Sequence, residues 1–144
     1  MTMKMDISYG YGIKTSNIKI RDVESLKGTM RSIHHYEELI NEYFQAKNIK
    51  EPTLKDYLDY MADKNGLAGF LESVIYEETG IALYSCSDDN GEFYLIYPET
   101  YPWRLLRREL CLTEEKLKTI FQKYVGWLTD EPIEVDYQRC VRCG

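Results

Sequence analysis

Apolar and polar positions change their period several times along the chain, and each change marks an element. Between Ile7 and Ile20, Tyr9, Tyr11 and Ile13 alternate with Gly10, Gly12 and a lysine, which predicts a strand or an extended arm. Asp22 then stands where a helix cap belongs. From residue 33 the period becomes helical: Ile33, Tyr36, Ile40, Tyr43 and Phe44 fall on one face, and Pro52 ends the run. Thr53 followed by Asp56 reads as a capping box opening a helix with Leu54, Tyr57, Leu58 and Met61 on its apolar side. Asn65-Gly66 breaks it. Leu67, Phe70, Leu71, Val74 and Ile75 make the next helical face, and Gly80 stops it.

After Gly80 the composition turns to strand formers. Ile81 to Cys86 and Phe93 to Tyr97 flank Ser87-Asp88-Asp89-Asn90-Gly91, a hairpin loop in which Asn90-Gly91 can take positive φ. Pro98 and Pro102 frame an irregular stretch. Thr113 caps a helix striped by Leu117, Ile120, Phe121, Tyr124 and Leu128. Beyond Pro132, Ile133, Val135 and Tyr137 alternate with polar residues as a final half-buried strand over 133–138, expected near the hairpin. The order predicts an α+β fold: an antiparallel sheet of three or four strands packed against several helices on one face. With no repeat or linker composition, residues 1–144 read as a single domain, with a short flexible tail at about 139–144.

Charge adds a direction. The net charge is −6, the wrong sign for a free-standing duplex-DNA binder or an anionic membrane as main partner. The acidity is local. Residues 37–99 carry fourteen acidic and four basic groups, against three and six before them and seven and eight after them. Asp56, Asp59 and Asp63 recur three and four residues apart and share one helix face. Glu72, Glu77 and Glu78 follow on the next helix, and Asp88, Asp89 and Glu92 crown the hairpin. Like charges this close cost stability, so their expected use is a partner-binding surface, one continuous patch fitted to a basic nucleic-acid channel. The plainer alternative is a solvated face.

Enzymatic signatures are absent. There is no phosphate-cradling GxxxxGK[ST] loop and no GxSxG turn, and Gly10 and Gly12 lack the third glycine of a dinucleotide fingerprint. His34 and His35 are adjacent, so a helix would point them about 100° apart rather than at one metal. Asp88, Asp89 and Glu92 lack the spacing of a calcium loop. Trp103 with Arg104, Arg107 and Arg108 could touch nucleic acid, but these arginines have nearby glutamates to pair with. Cys140 and Cys143 form half of a zinc pattern, for which Cys86, Cys111 or a second chain would have to supply the remaining ligands; a reduced, frayed tail is the simpler reading. No basic start leads into a long apolar run and no stretch approaches a membrane span, so the four cysteines are expected reduced, in a cytosol. Thirteen tyrosines suit a protein–protein interface, since each offers contact area with a polar tip.

Three stretches, GIALYSCSDDNGEFYLIYPETYPW, LTEEKLKTIFQKY and EPIEVDYQ, together with DISYGYGIKTSNIKI and EPTLKDYLDYMADKNGLAGFL, resemble small acidic proteins of phages and mobile elements, some of them anti-CRISPR proteins. The likeness spans about residues 6–138 and brings no matched active-site residue with it. It implies a non-enzymatic inhibitor without cofactor, cytoplasmic in a bacterial host, whose acidic surface binds a Cas nuclease ribonucleoprotein and hinders DNA binding or cleavage. The alternative expectation is a structural adaptor of a mobile element that self-assembles or binds zinc through its C-terminal CxxC. A third, an enzyme with a carboxylate dyad, requires a cleft that brings two carboxylates together.

Overall fold

A computed structural model describes residues 5–33, 35–62, 66–98 and 113–143. They form an α+β fold of four strands and five helices in the order β1 (Met5–Lys14), α1 (Val23–Met30), α2 (Tyr36–Ala46), α3 (Leu54–Ala62), α4 (Gly66–Thr79), β2 (Tyr84–Ser87), β3 (Phe93–Pro98), α5 (Glu114–Gly126) and β4 (Asp136–Cys143).

Local chemistry sets the element ends. The Asp22 carboxylate accepts from the Ser25 amide at 2.7 Å and caps α1. Asp56 accepts from the Thr53 amide at 2.8 Å, and Thr53 Oγ1 accepts from the Asp56 amide at 3.4 Å, closing the expected capping box. Thr113 caps α5 through the Lys116 amide at 3.2 Å. Gly80, at φ 76°, ends α4 by donating its amide to Tyr76 O at 2.8 Å. One start differs from the sequence pattern. Ile33 precedes α2, because His35 sits at φ 62° and breaks the helical run before Tyr36.

The sheet is antiparallel throughout, in the order β2-β3-β1-β4. The helices cover one face: α4 packs on β2 and β3, α5 on β1, and α3 on α4. Ile13 and Leu95 rise from the strands into this layer and meet Leu71, Val74, Ile75, Phe121 and Leu128 in the main core. The opposite face carries a small second cluster of Tyr94, Ile96 and Cys140, with Cys86 packed against it.

That second cluster reveals the shape of the sheet. β2 and β4 are its two outer strands, and in a flat sheet three strand spacings would separate them by about 14 Å. They are in contact nonetheless, so the sheet curls around the face opposite these helices. β1, the inner strand beside β4, makes the curl possible: the middle positions it turns towards that face are Ser8, Gly10 and Gly12, opposite Cys140, Gln138 and Asp136.

The C-terminal end corrects an expectation. Residues 139–143 are not a flexible tail. They extend β4, pairing Arg139, Cys140, Val141, Arg142 and Cys143 with Tyr9, Ser8, Ile7, Asp6 and Met5. The reason is the length of β1, whose first residues offer a free row of backbone groups that the end of the chain satisfies. The strand begins at Asp136, later than the predicted 133; it pairs with β1 and, as expected, lies near the hairpin, touching both β2 and β3.

Candidate functional site

The acidic residues do not gather at one point. α3, α4 and the β2–β3 hairpin are neighbours, so their carboxylates lie on contiguous elements, but they spread along them. Glu72 is fixed in the middle, where its Oε1 accepts from the Ser85 amide at 3.1 Å. Glu78 lies six residues further along α4, about 9 Å. The chain reverses before β2, and Asp88 lies three residues beyond Ser85 in the other direction, about 10 Å. The two ends are therefore further apart than the ~8 Å over which salt screens charges at physiological strength. The arrangement is an acidic band rather than the single patch expected from sequence. Asp63 lies outside the described residues.

Several of these carboxylates have internal work. Asp56 caps α3. Glu72 holds β2 against α4. Glu78 accepts from the Ser32 hydroxyl at 3.4 Å. Asp88 is the hub of the hairpin turn: it accepts from the Asn90 amide at 2.9 Å, the Glu92 amide at 3.0 Å and the Tyr94 hydroxyl at 3.0 Å. Gly91, at φ 81°, completes the turn. The Glu92 amide first, then Tyr94 and Asn90, hold the Asp88 carboxyl below its usual range against the opposing effect of burial. Among the described residues Asp59, Glu77 and Glu92 are bound to no such task; Asp59 and Glu77 are exposed and Glu92 is half-buried.

The depressed Asp88 pKa has a defined sign. A carboxylate favoured in the folded chain stabilises it above the unfolded value near 3.8, and that stability is lost as pH falls through the lower folded value. Asp88→Ala should therefore melt below the wild type at neutral pH, with the gap narrowing to the loss of the neutral-side-chain contacts under strongly acid conditions. Melting temperatures measured from neutral to strongly acid pH check this. A gap that stays constant or widens on acidification would contradict it.

At the hairpin Lys14 acts favourably on the Asp88 carboxylate, but most of the band has no such cation beside it among the described residues. Among the described residues, the ion pairs join Arg21 to Asp130, Lys27 to Glu24 and His35 to Glu38, and none involves Asp56, Asp59, Glu72, Glu77, Glu78 or Glu92. Leu58 and Tyr76 stand exposed beside Asp59 and Glu77 in sequence, so apolar groups interrupt the charge. Trp103, Arg104, Arg107, Arg108 and Cys111 lie outside the described residues.

The zinc expectation is not supported by the strand. Residues 140–143 run within the extended strand β4, whereas a CxxC ligand pair needs a turn. Among the described residues no three His, Cys, Asp or Glu side chains are grouped to hold a metal ion.

Two clefts remain. One of about 440 Å³ runs between β1 and the 129–138 segment and is walled by Lys14, Glu131, Glu134, Asp136 and Tyr137. Its three carboxylates are exposed, so it lacks the desolvated setting that tunes a carboxylate for acid–base chemistry. The other, of about 680 Å³, lies over α1, α2 and the start of α3, with Met30, Ile40, Phe44 and Tyr57 at its base and Lys27, Arg31, Glu24 and Glu37 at its rim.

Sequence reasoning missed an aromatic surface on the helix-side face of the sheet, beyond the reach of the helices. Tyr9 stacks on Tyr137 at 5.6 Å, Tyr11 meets Tyr137 edge-on at 5.4 Å, and the Tyr137 hydroxyl donates to Glu114 at 2.5 Å. With Ile7 this leaves an exposed apolar stripe across β1 and β4. The alternation of Tyr9 and Tyr11 was visible in the sequence, but its pairing partner 126 residues later was not. Comparison of the chain with protein-family models, curated proteins and solved structures finds no match.

Proposed function

We propose that this protein is a non-enzymatic inhibitor that binds a protein partner through its acidic band, the partner being a Cas nuclease ribonucleoprotein whose basic nucleic-acid groove the band occupies. The observation that carries this reading is the run of carboxylates along α3, α4 and the hairpin, in which Asp59, Glu77 and Glu92 join no ion pair among the described residues. Folding gains nothing from like charges on neighbouring elements, and among the described residues no ion pair offsets Asp59, Glu77 or Glu92, so a basic external surface is the setting in which they contribute. The spread of the band supports an elongated groove over a point contact. The resemblance to anti-CRISPR proteins supplies the identity of the target. Exposed Leu58 and Tyr76 supply the apolar contacts that charged rims alone lack.

The test separates charge from folding. Asp59→Lys, Glu77→Lys and Glu92→Lys avoid every carboxylate with a structural hydrogen bond. The triple variant should melt within a few degrees of the wild type. It should bind the target ribonucleoprotein roughly ten to a hundred times more weakly at low salt, mostly through slower association, and lose part of the salt dependence of binding. DNA-cleavage assays with a panel of Cas ribonucleoproteins read the function. Inhibition of none of them by the wild type would overturn the assignment, and full inhibition by the triple variant would remove the band from the mechanism.

A further inference from the structure

Cys86 and Cys140 are 54 positions apart and lie on strands at opposite edges of the sheet order, yet they share one small cavity. Its volume is about 130 Å³, and Ser8, Tyr84, Ser85, Ser87 and Arg142 complete the wall. The curl of the sheet brings them there: β2 and β4 touch across the face opposite the described helices, and Cys86 packs against the cluster that contains Cys140. Neither thiol is bonded to another cysteine. They interact with each other, and the Ser8 hydroxyl also reaches Cys86.

We propose that this pair is an oxidation site, at which hydrogen peroxide installs a Cys86–Cys140 disulfide that locks the two outer strands of the curled sheet together. The inference is independent of the inhibitor reading. Cys86 is half-buried and Cys140 is 3% exposed, so a small oxidant reaches Cys86 first. The Cys86 thiolate attacks the peroxide: an S–O bond forms, the O–O bond breaks, and hydroxide leaves. Cys140, deprotonated, then attacks the Cys86 sulfur: the S–S bond forms, the S–O bond breaks, and the second hydroxide leaves. The two thiol protons convert both hydroxides to water. Two electrons pass from the sulfurs to the peroxide, giving one disulfide and two waters per peroxide.

Burial, and then the Cys140 thiol, push the Cys86 thiol up to about 12, and burial also raises Cys140. The first step is therefore slow at neutral pH, because few thiolates are present. The second is fast, because its partner is already in contact. That order of rates favours a disulfide over accumulated sulfenic acid.

A bond here would close a loop of about 55 residues, and its chain-entropy effect corresponds to a rise in melting temperature of about 10 °C. Treatment of the intact protein with millimolar hydrogen peroxide should lower its mass by two hydrogens, yield a single cross-linked peptide joining Cys86 to Cys140 under non-reducing digestion, and raise the melting temperature reversibly with a thiol reductant. The double variant Cys111→Ser with Cys143→Ser keeps the pair and should retain the full shift. Cys86→Ser should lose both the cross-link and the shift. A cross-link through Cys111 or Cys143, sulfinic acid at Cys86 without a disulfide, or a Cys86–Cys140 bond that leaves melting unchanged would each overturn the proposal.

Discussion

Gly12→Val is expected to remove most of the stability of the fold, at a cost of about 4 kcal/mol or more, well above the usual range for a single substitution. A Cβ at residue 12 would stand 2.1 Å from the Leu95 carbonyl oxygen and 2.7 Å from the Ile96 Cα. Both obstacles are backbone, so no side-chain rotation relieves them. β1 would have to move away from β3, although Gly12 is held in register between Ile96 on one side and Asp136 on the other. The displacement would also disturb Ile13, which is fully buried in the main core. A chain of this length has a net stability on the order of 10 kcal/mol, so the loss is a large fraction of the total. Urea unfolding followed by circular dichroism measures it. Gly28→Ala is the control, since a Cβ there meets nothing within 4 Å and the site lies inside α1. It should stabilise the protein by roughly 0.5–1 kcal/mol through helix propensity. Equal midpoints for wild type and Gly12→Val would mean that the two strands are not as close as their backbones indicate.

Gly12 also marks the boundary of what the sequence discloses. Short-range chemistry was legible. Asp22, the Thr53–Asp56 pair, Thr113, Gly80 and Asn90-Gly91 each act on residues within five positions, and each signals an element end found in the structure. The alternation around Tyr9 to Ile13 likewise predicts β1. What the glycines in that alternation do was not legible, because their role depends on β3, about 84 residues away, and on a curl of the whole sheet. The same distance hides the meeting of Cys86 with Cys140.

The C-terminal strand was predicted at 133–138, but its extension to Cys143 was missed for a different reason. Gln138, Cys140 and Arg142 share one parity while Arg139 and Val141 share the other, so each face mixes polar and apolar residues and the two-residue period is faint. Pairing with β1 overrides that weak local preference. The acidic band was legible as composition and as helix spacing, but not as shape. The sequence does not show that Asp56, Glu72 and Asp88 are held by backbone amides, nor that the band runs along three elements. This sorting decides which carboxylates test binding and which only test folding.

Phe121→Ala carries the second large effect, a destabilisation of about 3–5 kcal/mol. Phe121 is fully buried, and with Leu117, Tyr124, Val125 and Leu128 it forms the stripe that seats α5 on β1 and α4. A helix of this length is marginal alone in water, so the stripe holds it in place. The seat is reinforced at its far end, where Arg21 donates its amide to Leu128 O at 2.6 Å and its guanidinium to Asp130 at 2.8 Å and Gly126 O at 3.2 Å. Those bonds lie beyond the truncated ring and keep α5 from sliding to fill the space, so a cavity persists and the cost approaches the upper part of the range. The melting temperature should fall by about 10 °C or more. Phe121→Leu, which retains most of the volume, should lose only about 1–1.5 kcal/mol. Lys118→Ala, on the exposed side of the same helix, should change stability by less than about 0.5 kcal/mol. A Phe121→Ala variant that unfolds within about 1 kcal/mol of the wild type would show that α5 rests on the sheet without depending on this ring.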